Sequence, residues 1–284
     1  MTSAARPTPL VSTTQLMAAR AAGASPLIVD CSFDLADAGA GERAFAQAHL
    51  PGAVYAHLER DLAGAKTGCN GRHPLPARAD WAATLARLGV TPARAVVVYD
   101  AQGGMYAARA WWMLRWVGHR AVSVLDGGLG AWTAAGGAHE TGAVQPVAAA
   151  TAYPEGDSLV ATVDADALLR SLGRVTLLDA RAGERYRGEV EPLDARAGHI
   201  PGARSRFFKD NLDVQGHFRP ADQLRAAFMA FGSAPAQVVH QCGSGVTACH
   251  NLLAMEVAGL SGSALYPGSW SEWSSDPARP VALG

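Results

Sequence analysis

The chain has 284 residues, and its 49% hydrophobic content against 17% charged is enough apolar material for two cored units, which excludes a disordered chain. A formal net charge of -1 excludes a nucleic-acid footprint, and no apolar run approaches the ~20 residues of a membrane helix. Four cysteines in so long a chain make no disulfide framework, so a reduced, cytoplasmic compartment is expected; no Cys/His spacing marks a metal site, and no cofactor is expected.

Arg6 and Arg20, with no acid before Asp30, raise the question of a transit peptide. The sequence argues against it, because Leu10-Val11-Ser12-Thr13 returns as Leu159-Val160-Ala161-Thr162, and both lead into Ala/Leu-rich helical runs. Residues from 10 onward therefore belong to a repeated fold. Leu27-Ile28-Val29-Asp30 returns as Thr176-Leu177-Leu178-Asp179, and His49-Leu50-Pro51-Gly52-Ala53 as His199-Ile200-Pro201-Gly202-Ala203. After a longer loop around Asp61–Pro76, Val96-Val97-Val98-Tyr99-Asp100 matches Val238-Val239-His240-Gln241-Cys242. Asp126-Gly127-Gly128 through Trp132 matches Pro267-Gly268-Ser269 through Trp273. Two copies at this period mean two similar domains and not a solenoid. The expected division is a first domain over 1–140, an Ala/Gly/Pro-rich linker over 141–157 and a second domain over 158–284.

In the second copy the patterns predict a helix over 163–172, a strand over 175–179 and a long loop ending at His199–Ala203. A helix over 221–231, a strand over 236–241, a helix over 247–258 and a strand over 262–266 follow. Short apolar strands separated by helices predict an α/β fold, each domain a mostly parallel sheet flanked by helices. Ligands of such sheets bind at the C-terminal ends of the central strands.

That end carries Cys242. Gly243 and Gly245 let the backbone turn with its N–H groups inward, and the helix from Thr247 adds its positive end. Both effects stabilise an anion at the Cys242 sulfur. Cys242, Gly243, Ser244, Gly245, Val246 and Thr247 thus read as a nucleophile in an anion cradle. A cysteine phosphatase uses a similar loop, but its Cys-x5-Arg pattern needs an arginine where Ala248 stands.

Together the two His-x-Pro-Gly-Ala motifs, Asp126–Trp132, Cys242–Thr247 and Gly268–Trp273 resemble the two-domain rhodanese-type sulfurtransferases over nearly the whole chain. The resemblance implies two tandem rhodanese-like domains, the first an inactive copy with Asp100 in the cysteine's place. It implies a ping-pong reaction through a Cys242 persulfide, with a small-molecule sulfur donor and a cyanide or thiol acceptor. A thioredoxin-like reductant is a further acceptor to consider. Members of the 3-mercaptopyruvate type carry Gly and Ser after the cysteine, as Gly243 and Ser244 here, whereas thiosulfate-type members often carry Arg and Lys. In the mercaptopyruvate type, the loop serine works with a histidine and an acid. His73 matches the histidine, with Glu59 or Asp61 as the acid. Arg185 matches the arginine that holds the donor carboxylate. The second arginine stays open, because the loop to Arg196 is shorter than the mercaptopyruvate pattern and resembles bacterial thiosulfate sulfurtransferases. The expected donor is 3-mercaptopyruvate, with thiosulfate as the alternative. A carrier that takes sulfur once and hands it to a partner protein is the non-enzymatic rival.

The remaining candidates read as structural. Cys249 is expected to pack, and Cys31 and Cys69 to be bystanders. His49 and His199 occur in both copies, which predicts a structural hydrogen bond. Trp132 recurs as Trp273, so Trp270 and Trp273 are expected in the core and wall of the site, and Arg187 in a surface ion pair.

Overall fold

The computed structural model describes residues 8–149 and 151–284. The chain divides into two compact units, the first comprising Met1–Asp61 and Arg78–Leu159, the second Leu62–Ala77 and Val160–Gly284. The expected boundaries treated each domain as one continuous stretch. The units differ from that: residues 62–77 count with the second unit, and the expected linker 141–157 falls within the first.

The first unit runs β1 (Leu10–Val11), α1 (Thr13–Ala21), β2 (Leu27–Asp30), α2 (Ala40–Gln47), β3 (Ala53–Tyr55), α3 (Arg78–Arg87), β4 (Val96–Tyr99), α4 (Ala107–Trp116), β5 (Val122–Leu125) and α5 (Gly128–Ala134). Its five strands pair in the order β1-β5-β4-β2-β3, and every pairing is parallel. β2 and β4 are buried at every residue, as expected of central strands covered on both faces. Ser12 caps α1 by accepting the Gln15 amide while the Gln15 side chain accepts the Ser12 amide, which fixes where that helix begins. The described fold therefore starts within a few residues of the position the repeat gave, and residues 1–7 lie outside the described residues.

The second unit repeats the plan with β6 (Ala161–Thr162), α6 (Ala165–Ser171), β7 (Thr176–Asp179), α7 (Gly183–Arg187), β8 (Arg204–Ser205), α8 (Ala221–Met229), β9 (Val238–Gln241), α9 (Thr247–Val257), β10 (Ala264–Leu265) and α10 (Ser269–Trp273). The order β6-β10-β9-β7-β8 is the same topology, again wholly parallel. The strand expected over 236–241 starts at Val238 because Pro235–Gln237 forms a 3-10 turn, Pro235 having no amide to give a ladder. β4 and β9 sit where the strand order reverses direction, so the loops after them occupy the binding position of an open α/β sheet.

The shared His-x-Pro-Gly motif has the same structural use in both units. His49 Nδ1 lies 2.7 Å from the Phe45 carbonyl with its ring stacked on Phe45, and His199 Nδ1 lies 2.9 Å from the Tyr186 carbonyl with its ring stacked on Tyr186. The backbones of these histidines bridge to Glu140 and Ala282, tying down the chain that follows the last helix of each unit, α5 and α10. Trp132 and Trp273 are paired in the same way, each indole donating to a carbonyl beyond its helix, Ala138 and Pro280.

Candidate active site

Cys242 follows β9 directly and is 1% exposed. The loop after it is laced onto the first turn of α10. The Cys242 amide donates to Ser269 Oγ at 3.1 Å, and the Trp270 and Ser271 amides donate to the carbonyls of Cys242 and Gly243 at 3.0 and 2.9 Å. Ser269 takes a positive φ of 54°, a strained conformation for a non-glycine residue, and its hydroxyl donates onward to the Tyr266 carbonyl. Gly245 has φ of +75°, and a Cβ there would lie 2.2 Å from the Pro267 carbonyl oxygen. Glycine is therefore required at 245 by both conformation and space. α9 then begins at Thr247 with no side-chain hydrogen bond capping it, so the positive end of the helix lies directly after the loop.

The corresponding loop of the first unit displays what such a turn does. Asp100, 0% exposed, stands in the cysteine's position. Its carboxylate accepts four backbone N–H groups, from Gln102, Gly104, Tyr106 and Ala107, at 2.8 to 2.9 Å. The turn at the start of α4 is thus an anion cradle that the chain fills with its own carboxylate.

Ser244 is 7% exposed and His73 3% exposed, and Ser244 Oγ lies 2.7 Å from His73 Nδ1. His73 was expected to come from the first domain's sequence, which it does, but its segment is part of the second compact unit. Of the two acids, Asp61 accepts the His57 amide at 2.7 Å and pairs with Arg87.

Arg185, on α7, donates to Glu191 Oε1 at 2.6 Å and to Asp194 Oδ2 at 3.3 Å. Its buried Nε has no hydrogen-bond partner. Arg72 pairs with the other oxygen of Asp194, and its amide donates to Ser271 Oγ at 3.0 Å. Both guanidiniums converge on the loop: a Cβ built on Gly243 would lie 2.9 Å from Arg72 Nη2 and 3.3 Å from Arg185 Nη1. Arg72, Asp194 and Glu191 escaped the sequence reading. The only available signal was the run Asn70-Gly71-Arg72-His73, read there for its histidine alone.

Arg196 is placed elsewhere. It donates to the carbonyls of Trp273, Ser274, Asp276 and Arg279, so it binds the carbonyls at and beyond the C-terminal end of α10. Trp270 and Trp273 are both 0% exposed; Arg181 stacks over the Trp270 ring at 4.8 Å and donates to Asp179 and to the Gly198 carbonyl. Arg187 pairs with Glu189 at the surface. All four cysteines are free; Cys249 is buried with its thiol 3.3 Å from the Gly245 carbonyl, Cys69 is exposed, and burial pushes the Cys31 thiol well up. Among the described residues, no group of three or more His, Cys, Asp or Glu side chains could hold a metal, and no helix is long and apolar enough to cross a membrane.

The family model for the rhodanese-like domain matches residues 12–135 and again 164–276. A protein of Pseudomonas aeruginosa named "Probable 3-mercaptopyruvate sulfurtransferase" is 48% identical over 280 residues, covering 96% of this chain and 97% of its own. A Mycobacterium tuberculosis protein, provisionally named thiosulfate sulfurtransferase SseB, is 42% identical over 277 residues, covering 97% of each. The crystal structure of SseA from Escherichia coli, described as a 3-mercaptopyruvate sulfotransferase with the rhodanese fold, superposes with a TM-score of 0.80. It is 30% identical, with 93% of this chain and 100% of that one covered.

Proposed function

The chain belongs to the rhodanese-like domain family, and from that membership we infer a sulfurtransferase that moves sulfane sulfur from 3-mercaptopyruvate to a thiophilic acceptor through a Cys242 persulfide. The observation that carries the choice of donor is the 2.7 Å approach of Ser244 Oγ to His73 Nδ1 in the cysteine's own loop.

The atoms require such a pair for one donor and not for the other. When the Cys242 sulfur attacks the thiol sulfur of 3-mercaptopyruvate, an S–S bond forms and the C–S bond breaks. The electron pair of that bond goes to carbon, and the thiol proton must leave sulfur and end on the new methyl group of pyruvate. A serine hydroxyl hydrogen-bonded to an imidazole is a route for that proton. Thiosulfate needs no proton transfer, since sulfite leaves with the electron pair of the S–S bond. Cyanide then attacks the outer persulfide sulfur, giving thiocyanate and restoring the Cys242 thiolate.

The loop's contribution is electrostatic. The Asp100 cradle supports the reading that the equivalent turn after Cys242 holds the negative outer sulfur of a persulfide as an oxyanion hole holds oxygen. On the same comparison the first unit is a non-catalytic copy, its cradle filled by a carboxylate.

The test is kcat/KM for 3-mercaptopyruvate and thiosulfate side by side, with cyanide as acceptor. A preference for 3-mercaptopyruvate is expected. A preference for thiosulfate would reverse the donor assignment in favour of the M. tuberculosis relative's name. A single sulfur uptake without turnover would make the chain a carrier.

A further inference from the structure

We propose that the first unit holds a binding site for a guanidinium cation, formed where Ser32 stands in the place that Arg181 takes in the second unit. The inference is independent of the choice of sulfur donor.

The repeat relates the two places residue by residue. Asp30 and Asp179 end β2 and β7, and each accepts the amide two residues on, from Ser32 at 2.7 Å and from Arg181 at 2.9 Å. Ala48 and Gly198 directly precede the paired histidines, His49 and His199. The Leu129 amide donates to the Asp100 carbonyl as the Trp270 amide donates to that of Cys242. Asp30, Ser32, Ala48 and Leu129 thus answer to Asp179, Arg181, Gly198 and Trp270.

In the second unit those positions clamp a guanidinium. Arg181 gives Nε and Nη2 to the Asp179 carboxylate and Nη2 also to the Gly198 carbonyl, with Cζ 4.8 Å from the centre of the Trp270 ring. In the first unit the arginine is a serine and the tryptophan a leucine. Both are smaller, and a cavity of about 130 Å³ lies among Asp30, Ser32, Ala48, Leu129, Phe33 and Phe45. At about 30 Å³ per water, that is room for about four non-hydrogen atoms, the number in a guanidinium. Asp34, exposed on the rim, adds a second carboxylate at the entrance.

The acid that holds the cation in one copy is kept in the other without it. Asp30 is 1% exposed, and no cation pairs with it among the described residues. Burial pushes its pKa up from the ordinary carboxylate value, a penalty that a guanidinium hydrogen-bonded to the carboxylate removes. Apolar walls favour guanidinium over ammonium, because guanidinium is the more weakly hydrated and its planar fork matches a carboxylate.

The experiment is isothermal titration calorimetry of the full chain with methylguanidinium, and with methylammonium, which has the charge without the fork. Expected is saturable methylguanidinium binding with Kd of about 0.1–10 mM, and methylammonium binding at least about tenfold weaker. Ser32→Arg returns the second unit's own guanidinium to the acid and should abolish the binding. Asp30→Asn keeps the shape without the charge, should weaken binding at least about tenfold, and decides if Ser32→Arg does not fold. A parallel titration with N-acetylarginine methylamide separates the sources of the group. Equal binding assigns the site to an arginine side chain of a peptide, and exclusion assigns it to a small guanidino compound. No saturable methylguanidinium binding by wild type, equal binding of methylammonium, or unchanged binding in the folded variants would overturn the proposal.

Discussion

Ser244 and His73 stand 171 residues apart in the chain and share a buried hydrogen bond of 2.7 Å. Because only 3-mercaptopyruvate needs a proton moved, Ser244→Ala and His73→Asn should split the two donors. We expect kcat/KM for 3-mercaptopyruvate to fall about 10²-fold in each variant, and that for thiosulfate by much less. The double variant should lose little more than either single one, since the pair acts as one relay. Equal losses with both donors would mean that the bond only shapes the loop.

The two loop glycines should respond differently to a methyl group. Gly245→Ala forces a positive φ on alanine, costing about 1–2 kcal/mol, and drives a Cβ into the Pro267 carbonyl. Marked loss of both thermal stability and activity is expected. In Gly243→Ala the new atom meets the mobile ends of Arg72 and Arg185. That variant should melt within a few degrees of wild type and show its defect in donor KM. Melting curves and donor titrations of the two variants check this contrast.

Asp100 offers a test of the cradle away from the chemistry. Four amides converge on its carboxylate in the buried turn before α4. Asp100→Ala leaves those donors without their acceptor, at a cost of about 2–4 kcal/mol in urea unfolding of the transition that reports the first unit. Asp100→Cys should lose comparable stability and gain no sulfur transfer when combined with Cys242→Ser. A stability change near zero would mean that the four contacts are not an anion site.

How far the sequence carried the structure follows from the range of each interaction. The strand, loop and helix around Cys242 were readable because β-branched run, glycines and helix lie within about twenty consecutive residues, where local periodicity rules. The parallel sheets followed from the repeat and the alternation of elements. Arg72 and Asp194 were not readable, because their contact joins positions 122 residues apart and depends on where residues 62–77 pack. The role of Arg196, left open in the sequence, was out of reach for a related reason: its partners are carbonyls some 80 residues on, and no residue type announces a carbonyl. Patterns of side chains report local structure; the partners of a charged side chain are fixed by packing.

Acid stability should report His240, two residues before the nucleophile. It is 0% exposed on β9, with Nε2 3.0 Å from Met255 Sδ and no partner at Nδ1. Burial, and then the nearby Arg206 charge, push its pKa down from 6.5 to about 3. In the unfolded chain the ring takes a proton near its ordinary value, whereas in the folded chain it stays neutral until about pH 3. Between those values the unfolded state binds more protons, so stability from this group is complete above pH 6.5 and is lost as pH falls toward 3. The limiting slope is about 1.4 kcal/mol per pH unit. His240→Met, which fills the same apolar site without a titratable ring, should remove this part of the acid slope. Urea unfolding at pH 7, 6, 5 and 4 measures it: the wild-type curve should fall more steeply than the variant's over that range. Parallel curves would mean that the folded protein accepts a proton on His240 at little cost.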